Sequence, residues 1–274
     1  MATLVCFHAH PDDEAIATGG AMAKASAAGH RVVLVIATRG EHGEIVPGVL
    51  AEGEQLGIRR VKESYESAAI LGAGRVEFLG YIDSGMMGEP ENDAPGSFWS
   101  ADVEHAAERL ATILREERAD VLTIYDDNGG YGHPDHIQVH RVGLRAAEIA
   151  GVPRVFEATI NRDHVLRGIQ ARLALAPGDE ERELREQLEE LEETPDFGVP
   201  EGRITHAVDV TGVVDLKRRA MRAHASQIPE ESFFLTMDDA TFAVAFGTEW
   251  FIASGATRRD GEAPGEDLLV GIED

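Results

Sequence analysis

Short apolar runs rich in β-branched residues punctuate the first 160 positions of the chain, and longer stretches of mixed polarity separate them. Residues 3–7 (Thr-Leu-Val-Cys-Phe), 31–38 (Arg-Val-Val-Leu-Val-Ile-Ala-Thr), 76–79, 120–125 (Asp-Val-Leu-Thr-Ile-Tyr) and 154–160 are too brief for helices and too uniformly apolar for half-exposed strands. They read as strands buried on both faces. Between them the spacing predicts a helix over 15–28 that stops at Gly29. A second, over 59–71, gathers Val61, Tyr65, Ala68 and Ala69 on one side and stops at Gly72; further helices follow over 102–118 and 134–149. Strands that alternate with helices need crossover connections, which are right-handed and make neighbouring strands parallel. The predicted fold is therefore α/β: a doubly wound, mostly parallel, Rossmann-like sheet with helices on both faces.

Beyond residue 160 the pattern loosens. Stretches 163–174 and 179–193 are helical in spacing, the latter charged on nearly every face and thus a surface helix or mobile arm. Pro195 and Pro200 bracket a turn, 205–210 reads as a strand, 213–225 as a helix, and the residues after Gly255 as a loose tail. Two Gly-rich stretches, 39–58 and 80–100, exceed ordinary loop lengths and are candidate binding loops.

Composition narrows the class of partner. The formal net charge is -25, which argues against nucleic acid and against an anionic membrane surface, since both require a basic footprint. Much of the acidic excess lies in 179–193, so it describes a solvated surface more than a site. Cys6 is the sole cysteine, excluding an internal disulfide, and it sits in an apolar run as a small core residue. The N-terminus has neither the charged region nor the long apolar region of a signal peptide, and no run is long enough for a membrane span. The expected location is cytoplasmic. Oligomeric state is not encoded legibly, and a homo-oligomer stays open.

The chemistry is concentrated in two motifs. His8-Ala9-His10-Pro11-Asp12-Asp13-Glu14 follows the first strand directly. A turn so rich in imidazole and carboxylate repels phosphate and attracts a cation. The second, Tyr131-Gly132-His133-Pro134-Asp135-His136, follows the fourth strand. Open α/β sheets gather ligands outside the carboxyl ends of their strands, so the fold brings both motifs to one edge. His10 and Asp13, three apart at a strand-to-helix turn, can share a face. A catalytic zinc site has three protein ligands and one open position, and His133 and His136 compete to be the third, with His140 one turn beyond. Glu14 reads as a first-turn acid favoured by the helix dipole, with support of a histidine ligand as the alternative. His8 is either support for the site or a buried structural histidine, and His224 and Gln227 either line the pocket or cap a helix.

Ala-His-Pro-Asp-Asp-Glu at 9–14, together with Gly-His-Pro-Asp-His at 132–136, resembles the LmbE-like or PIG-L family of zinc-dependent N-deacetylases. Gly40-Glu41-His42-Gly43-Glu44 and Asp83-Ser84-Gly85-Met86 are similar to its mycothiol branch, which holds the deacetylase of N-acetylglucosaminyl-inositol and the mycothiol S-conjugate amidase. The resemblance covers residues 3–160 well and the His224 region more weakly. It implies that His10, Asp13 and His136 bind zinc and that Asp12 is the general base. It implies further that His133 is the cationic group stabilising the oxyanion, that Asp135 orients it, and that Tyr131 polarises the carbonyl from a mobile loop. Arg60 and Asp83 match positions that contact the sugar or inositol.

The expected activity is removal of an acetyl group from an N-acetyl-amino-sugar by attack of zinc-bound water, with a small N-acetylated molecule as substrate. Fe2+, Co2+ and Ni2+ also suit two imidazoles and a carboxylate. The expected organisation is a metal-binding catalytic core at 1–160, with 161–274 completing the substrate pocket in one integrated domain. One rival is an amidase of mycothiol S-conjugates or another small amide. A rival of another class is a non-hydrolytic metal- or nucleotide-binding protein; against nucleotide, the turn after the first strand lacks G-x-G-x-x-G and carries ionisable side chains where pyrophosphate would sit.

Overall fold

The computed structural model describes residues 1–174, 177–194, 196–259 and 261–272. Five strands and four helices alternate first: β1 (Thr3–His8), α1 (Gly19–Ala27), β2 (Arg31–Ile36), α2 (Leu56–Leu71), β3 (Arg75–Phe78), α3 (Val103–Glu117), β4 (Val121–Tyr125), α4 (Pro134–Ala150) and β5 (Arg154–Thr159). The remainder adds α5 (Arg162–Leu173), α6 (Asp179–Glu193), β6 (His206–Asp209), α7 (Val214–Ala223), α8 (Phe233–Thr236), α9 (Asp239–Phe246) and β7 (Thr248–Ala253). The predicted turn at Pro195 and the end of the predicted tail fall outside the described residues.

All seven strands form one sheet in the order β3-β2-β1-β4-β5-β7-β6. β1 to β5 are parallel, while β7 pairs antiparallel with both β5 and β6. The alternation of side chains along β1 splits the core in two. Leu4 and Cys6 face a layer with Met22, Leu34, Leu71, Met221 and Phe251. Val5 and Phe7 face the other, with Phe98, Leu110, Leu122 and Val139. Both faces of the central strands are buried, which is why their sequences read as unbroken apolar runs.

β7 is not apparent in the sequence. Its Thr-Glu-Trp-Phe-Ile-Ala offers only a few apolar residues after a Gly, and long-range antiparallel pairing specifies it. The helix expected over 15–28 is also more complicated: a π-helical turn, Glu14–Thr18, precedes α1. Such turns favour functional sites because they rotate side chains out of helical register.

Chain order places the site. From β1 the chain runs outward to β2 and β3, and from β4 it runs the opposite way to β5. The segments leaving β1 and β4 therefore diverge, and a crevice opens between adjacent carboxyl ends. Gly143 lets α4 settle close over β4, since a Cβ there would lie 2.4 Å from Ile124 Cγ2. Pro134 occupies the first turn of α4, and Asp102 caps α3 by accepting from the His105 N–H at 2.8 Å.

Candidate active site

His10, Asp12 and Asp13 emerge from β1 into the crevice, and His133, Asp135 and His136 enter it at the start of α4. His136 Nδ1 lies 3.1 Å from the carbonyl oxygen of Gly129. With that nitrogen donating, the lone pair of Nε2 faces inward, and Nε2 is buried without a hydrogen-bond partner. It lies 3.4 Å from Asp13 Oδ1. On the other side, His10 Nε2 is held 3.1 Å from Asp135 Oδ2, while His10 Nδ1 lies 3.5 Å from Asp13 Oδ2. Ligand atoms about 2.0–2.2 Å from a tetrahedral zinc are about 3.3–3.6 Å apart, and each imidazole nitrogen stands at such a spacing from one oxygen of Asp13, the two from different oxygens. The orphaned Nε2 of His136 is the donor such an ion would satisfy.

Two other groupings share His10. Ligand atoms of His10, His133 and His136 lie within 4.8 Å of one another, as do those of His10, Asp83 and Asp135. Hydrogen bonding separates these sets. His133 Nδ1 accepts from the Asp135 N–H at 3.1 Å, so the neutral ring carries its proton on Nε2. Coordination through Nε2 would move that proton to Nδ1 and set two donors face to face. In the second set, His10 Nε2–H already donates to Asp135, the arrangement that orients a metal-binding imidazole.

The charges divide the two aspartates. Burial pushes the Asp12 carboxyl up to about 6, against the pull of the Arg60 guanidinium and with Asp13 adding repulsion. Burial also works against ionised Asp13, but the imidazoles of His136 and His10 hold it well below the usual carboxylate range. Burial, then the neighbouring His10 and His136, push His133 down to about 3. Those surroundings favour the neutral ring of His133, a hydrogen-bond donor through Nε2, over the cationic form that the resemblance implies.

Other expected residues sit differently from their sequence reading. Asp135 reaches His133 through its backbone N–H; its carboxylate accepts from His10, from the Ser84 N–H at 2.9 Å and from the Ser84 hydroxyl at 2.5 Å. Arg60 is buried under the turn, donating to Gly40 O at 2.8 Å, Pro11 O at 2.5 Å and Asp12 Oδ2 at 3.2 Å. Its two Nη atoms are thus used within the protein, while its Nε is buried without a partner. Asp83 lies beside the site, with Oδ1 3.6 Å from His10 Nε2, and accepts from the His42 and Gly85 N–H groups at 3.2 and 2.9 Å. Tyr131 is 46% exposed, and its ring lies 5.0 Å from that of His136 on a loop where Gly129, Gly130 and Gly132 have positive φ. Glu14 does open a helical turn, but it is fully buried and accepts from His224 and Ser67.

His8 is buried between Tyr125 OH and Thr18 Oγ1, each at 2.8 Å, and the Tyr125 ring stacks on His136 at 4.3 Å. Tyr125, Ser84, Ser67 and the Gly129 carbonyl were not foreseen as parts of the site. Only Ser84, inside Asp83-Ser84-Gly85, lay in a motif that pointed to it. His140, one turn along α4, instead lies with Nδ1 3.0 Å from Tyr125 O.

Fold and site define the class: a doubly wound protein whose parallel-strand switch point carries a His/Asp centre able to bind a metal. Residues 5–147 match the GlcNAc-PI de-N-acetylase (PIG-L) family, and the chain belongs to that family and is an amide-hydrolysing enzyme. It is 42% identical, over 99% of its length and 95% of the relative's, to the 1D-myo-inositol 2-acetamido-2-deoxy-alpha-D-glucopyranoside deacetylase of Acidothermus cellulolyticus. It is 40% identical to the enzyme of that name from Streptomyces scabiei, over 98% of this chain and 89% of the other. Among solved structures it resembles the N,N'-diacetylchitobiose deacetylase of Pyrococcus horikoshii, with a TM-score of 0.60 at 20% identity over 92% of this chain and 83% of that one. That likeness concerns the fold. No described helix is long and apolar enough to cross a membrane.

Proposed function

We propose that the enzyme is a zinc-dependent N-deacetylase that releases acetate from an N-acetylglucosaminyl-inositol. The supporting observation is the buried, unpartnered Nε2 of His136 facing Asp13, with Nδ1 of His10 on the other oxygen of the same carboxylate. Near-full-length likeness to relatives named for that reaction supports the substrate.

In this reading His10 Nδ1, Asp13 and His136 Nε2 hold the metal, which when bound acidifies water and polarises the acetamide carbonyl. Asp135 and the Gly129 carbonyl fix the two imidazoles in the tautomers this requires. Asp12, held near 6, is an effective acceptor for the proton of the attacking water at neutral pH and can deliver it to the departing amine. His133 donates its Nε2–H to the oxygen on which negative charge develops; one well-placed donor of this kind contributes about 3–4 kcal/mol. The Asp135 N–H on Nδ1 sets that tautomer. Tyr131, on its Gly-rich loop, closes over the carbonyl. Asp83 contacts the sugar, whereas Arg60 acts from beneath Asp12.

Acetate release and metal content measured together test this reading. His136→Ala is expected to lose the metal and the activity, and Asp12→Asn to retain the metal with a rate lower by about 10²–10⁴-fold. Wild-type turnover in Asp12→Asn would overturn the base assignment. Reconstitution of metal-free enzyme with Zn2+, Fe2+, Co2+ and Ni2+ in turn identifies the ion that restores the rate.

A further inference from the structure

Asp12 has φ +103°, and Asp12 and Arg118 are the only non-glycine residues with positive φ among those described. Arg118 ends α3 in an ordinary left-handed cap. Asp12 is in no such cap, and a conformation of this kind persists only where the surroundings impose it.

What imposes it acts on the two ends of one peptide group. Arg60 Nη2 donates to the carbonyl oxygen of Pro11 at 2.5 Å, and the N–H of the same peptide, belonging to Asp12, donates to Glu14 Oε2 at 3.0 Å. A half-turn of that peptide would return φ to negative values. It would also aim the carbonyl oxygen at a carboxylate and the N–H at a guanidinium, so the two charges oppose it. Glu14 is itself fixed. Its Oε1 accepts from His224 Nε2 at 2.7 Å and from Ser67 Oγ at 2.5 Å, and Glu14, Ser67 and His224 are all fully buried. His224 follows α7 and stands 210 residues from Glu14 in sequence.

We propose that Glu14, braced by His224 and Ser67, is a positioning residue that acts with Arg60 to lock the Pro11–Asp12 peptide and so present the Asp12 carboxylate to its proton. The proposal rests on Asp12 being the base. A purely structural role for the Glu14–His224 pair predicts a loss that does not pass through Asp12, and this difference is measurable.

Glu14→Gln replaces a two-sided acceptor with one oxygen and one amino group. Either Asp12 N–H or the Ser67 and His224 donors then face a donor. The measurement is kcat, KM and bound metal for Glu14→Gln in the wild-type and in the Asp12→Asn background. The expected result is a fall in kcat of about 10- to 100-fold with KM and metal content unchanged, and no further fall when the change is added to Asp12→Asn. An unchanged kcat, or an equal fall in both backgrounds, overturns the proposal. Ser67→Ala, a smaller change, carries the same test if Glu14→Gln does not fold, with a smaller fall again confined to the Asp12 background. Full activity in Asp12→Asn alone would remove the base assignment and this proposal with it. A slow Asp12→Asn beside a normal Glu14→Gln would remove only the clamp.

Discussion

Asp12 and Asp13 are neighbours with the same side chain and opposite electrostatics. Asp13 faces two imidazoles that hold it well below the usual carboxylate range, whereas burial, only partly offset by Arg60, holds Asp12 up near 6. Two consequences follow. The base works deprotonated, so kcat/KM is expected to fall tenfold per pH unit below a midpoint at or under about 6, since a bound cation lowers that midpoint further; a pH–rate profile checks it. The second concerns stability. The folded-state pKa of Asp12 lies above the ordinary value of 3.8, so ionised Asp12 disfavours the fold progressively from about pH 4 to 6 and fully above. Asp12→Asn is therefore expected to raise the Tm of the metal-free protein more at pH 8 than at pH 4. Equal gains at both would show that relief of the backbone, which Asn tolerates better at positive φ, is the whole effect.

At the scale of elements, the base of the site is tied to the last strand by a buried ion pair. Glu249 on β7 accepts from Gly20 N–H at 2.7 Å and Ala21 N–H at 2.8 Å, capping the start of α1, and from Lys217 of α7 at 2.5 Å. Lys217 and Glu249 are both buried. Removing one partner leaves the other charged and dry, which costs about 3–5 kcal/mol. Lys217→Ala is accordingly expected to shift the urea midpoint downward by that amount of stability, while Arg222→Ala, whose partner Glu230 is on the surface, changes it by less than about 1 kcal/mol. Sequence reading found α1, α2, α4 and α7 because their apolar faces repeat. It could not find the function of Glu14, Lys217 or Glu249, because side chains that brace or pair with them, His224 for Glu14 and Lys217 for Glu249, lie 210 and 32 residues away.

For the molecule as a whole, residues beyond 160 are structural partners of the catalytic edge. β7 and β6 extend the same sheet, and Met221, Phe242 and Phe251 fill the core layer that also holds Leu4 and Cys6. His224 reaches Glu14 directly. A chain ending at residue 160 would expose that layer and leave Glu14 without His224. It is expected to lack a cooperative thermal transition, with circular dichroism as the check; a sharp transition would mean that the first segment folds alone.

The sequence by itself determined the doubly wound, mostly parallel class of the fold, because buried strands and amphipathic helices write their periods locally. It also brought His10, Asp12, Asp13, His133 and His136 to one edge, because both motifs directly follow strands and parallel topology fixes where strand ends lie. Tertiary structure alone decided how those groups divide the work. Which nitrogen of His10 or His136 is free depends on Asp135 and the Gly129 carbonyl. The placement of Arg60 beneath the turn and of Asp135 against His10 depends on packing between elements far apart in the chain. Hydrogen-bond direction and burial are properties of neighbours in space, and a one-dimensional pattern does not carry them.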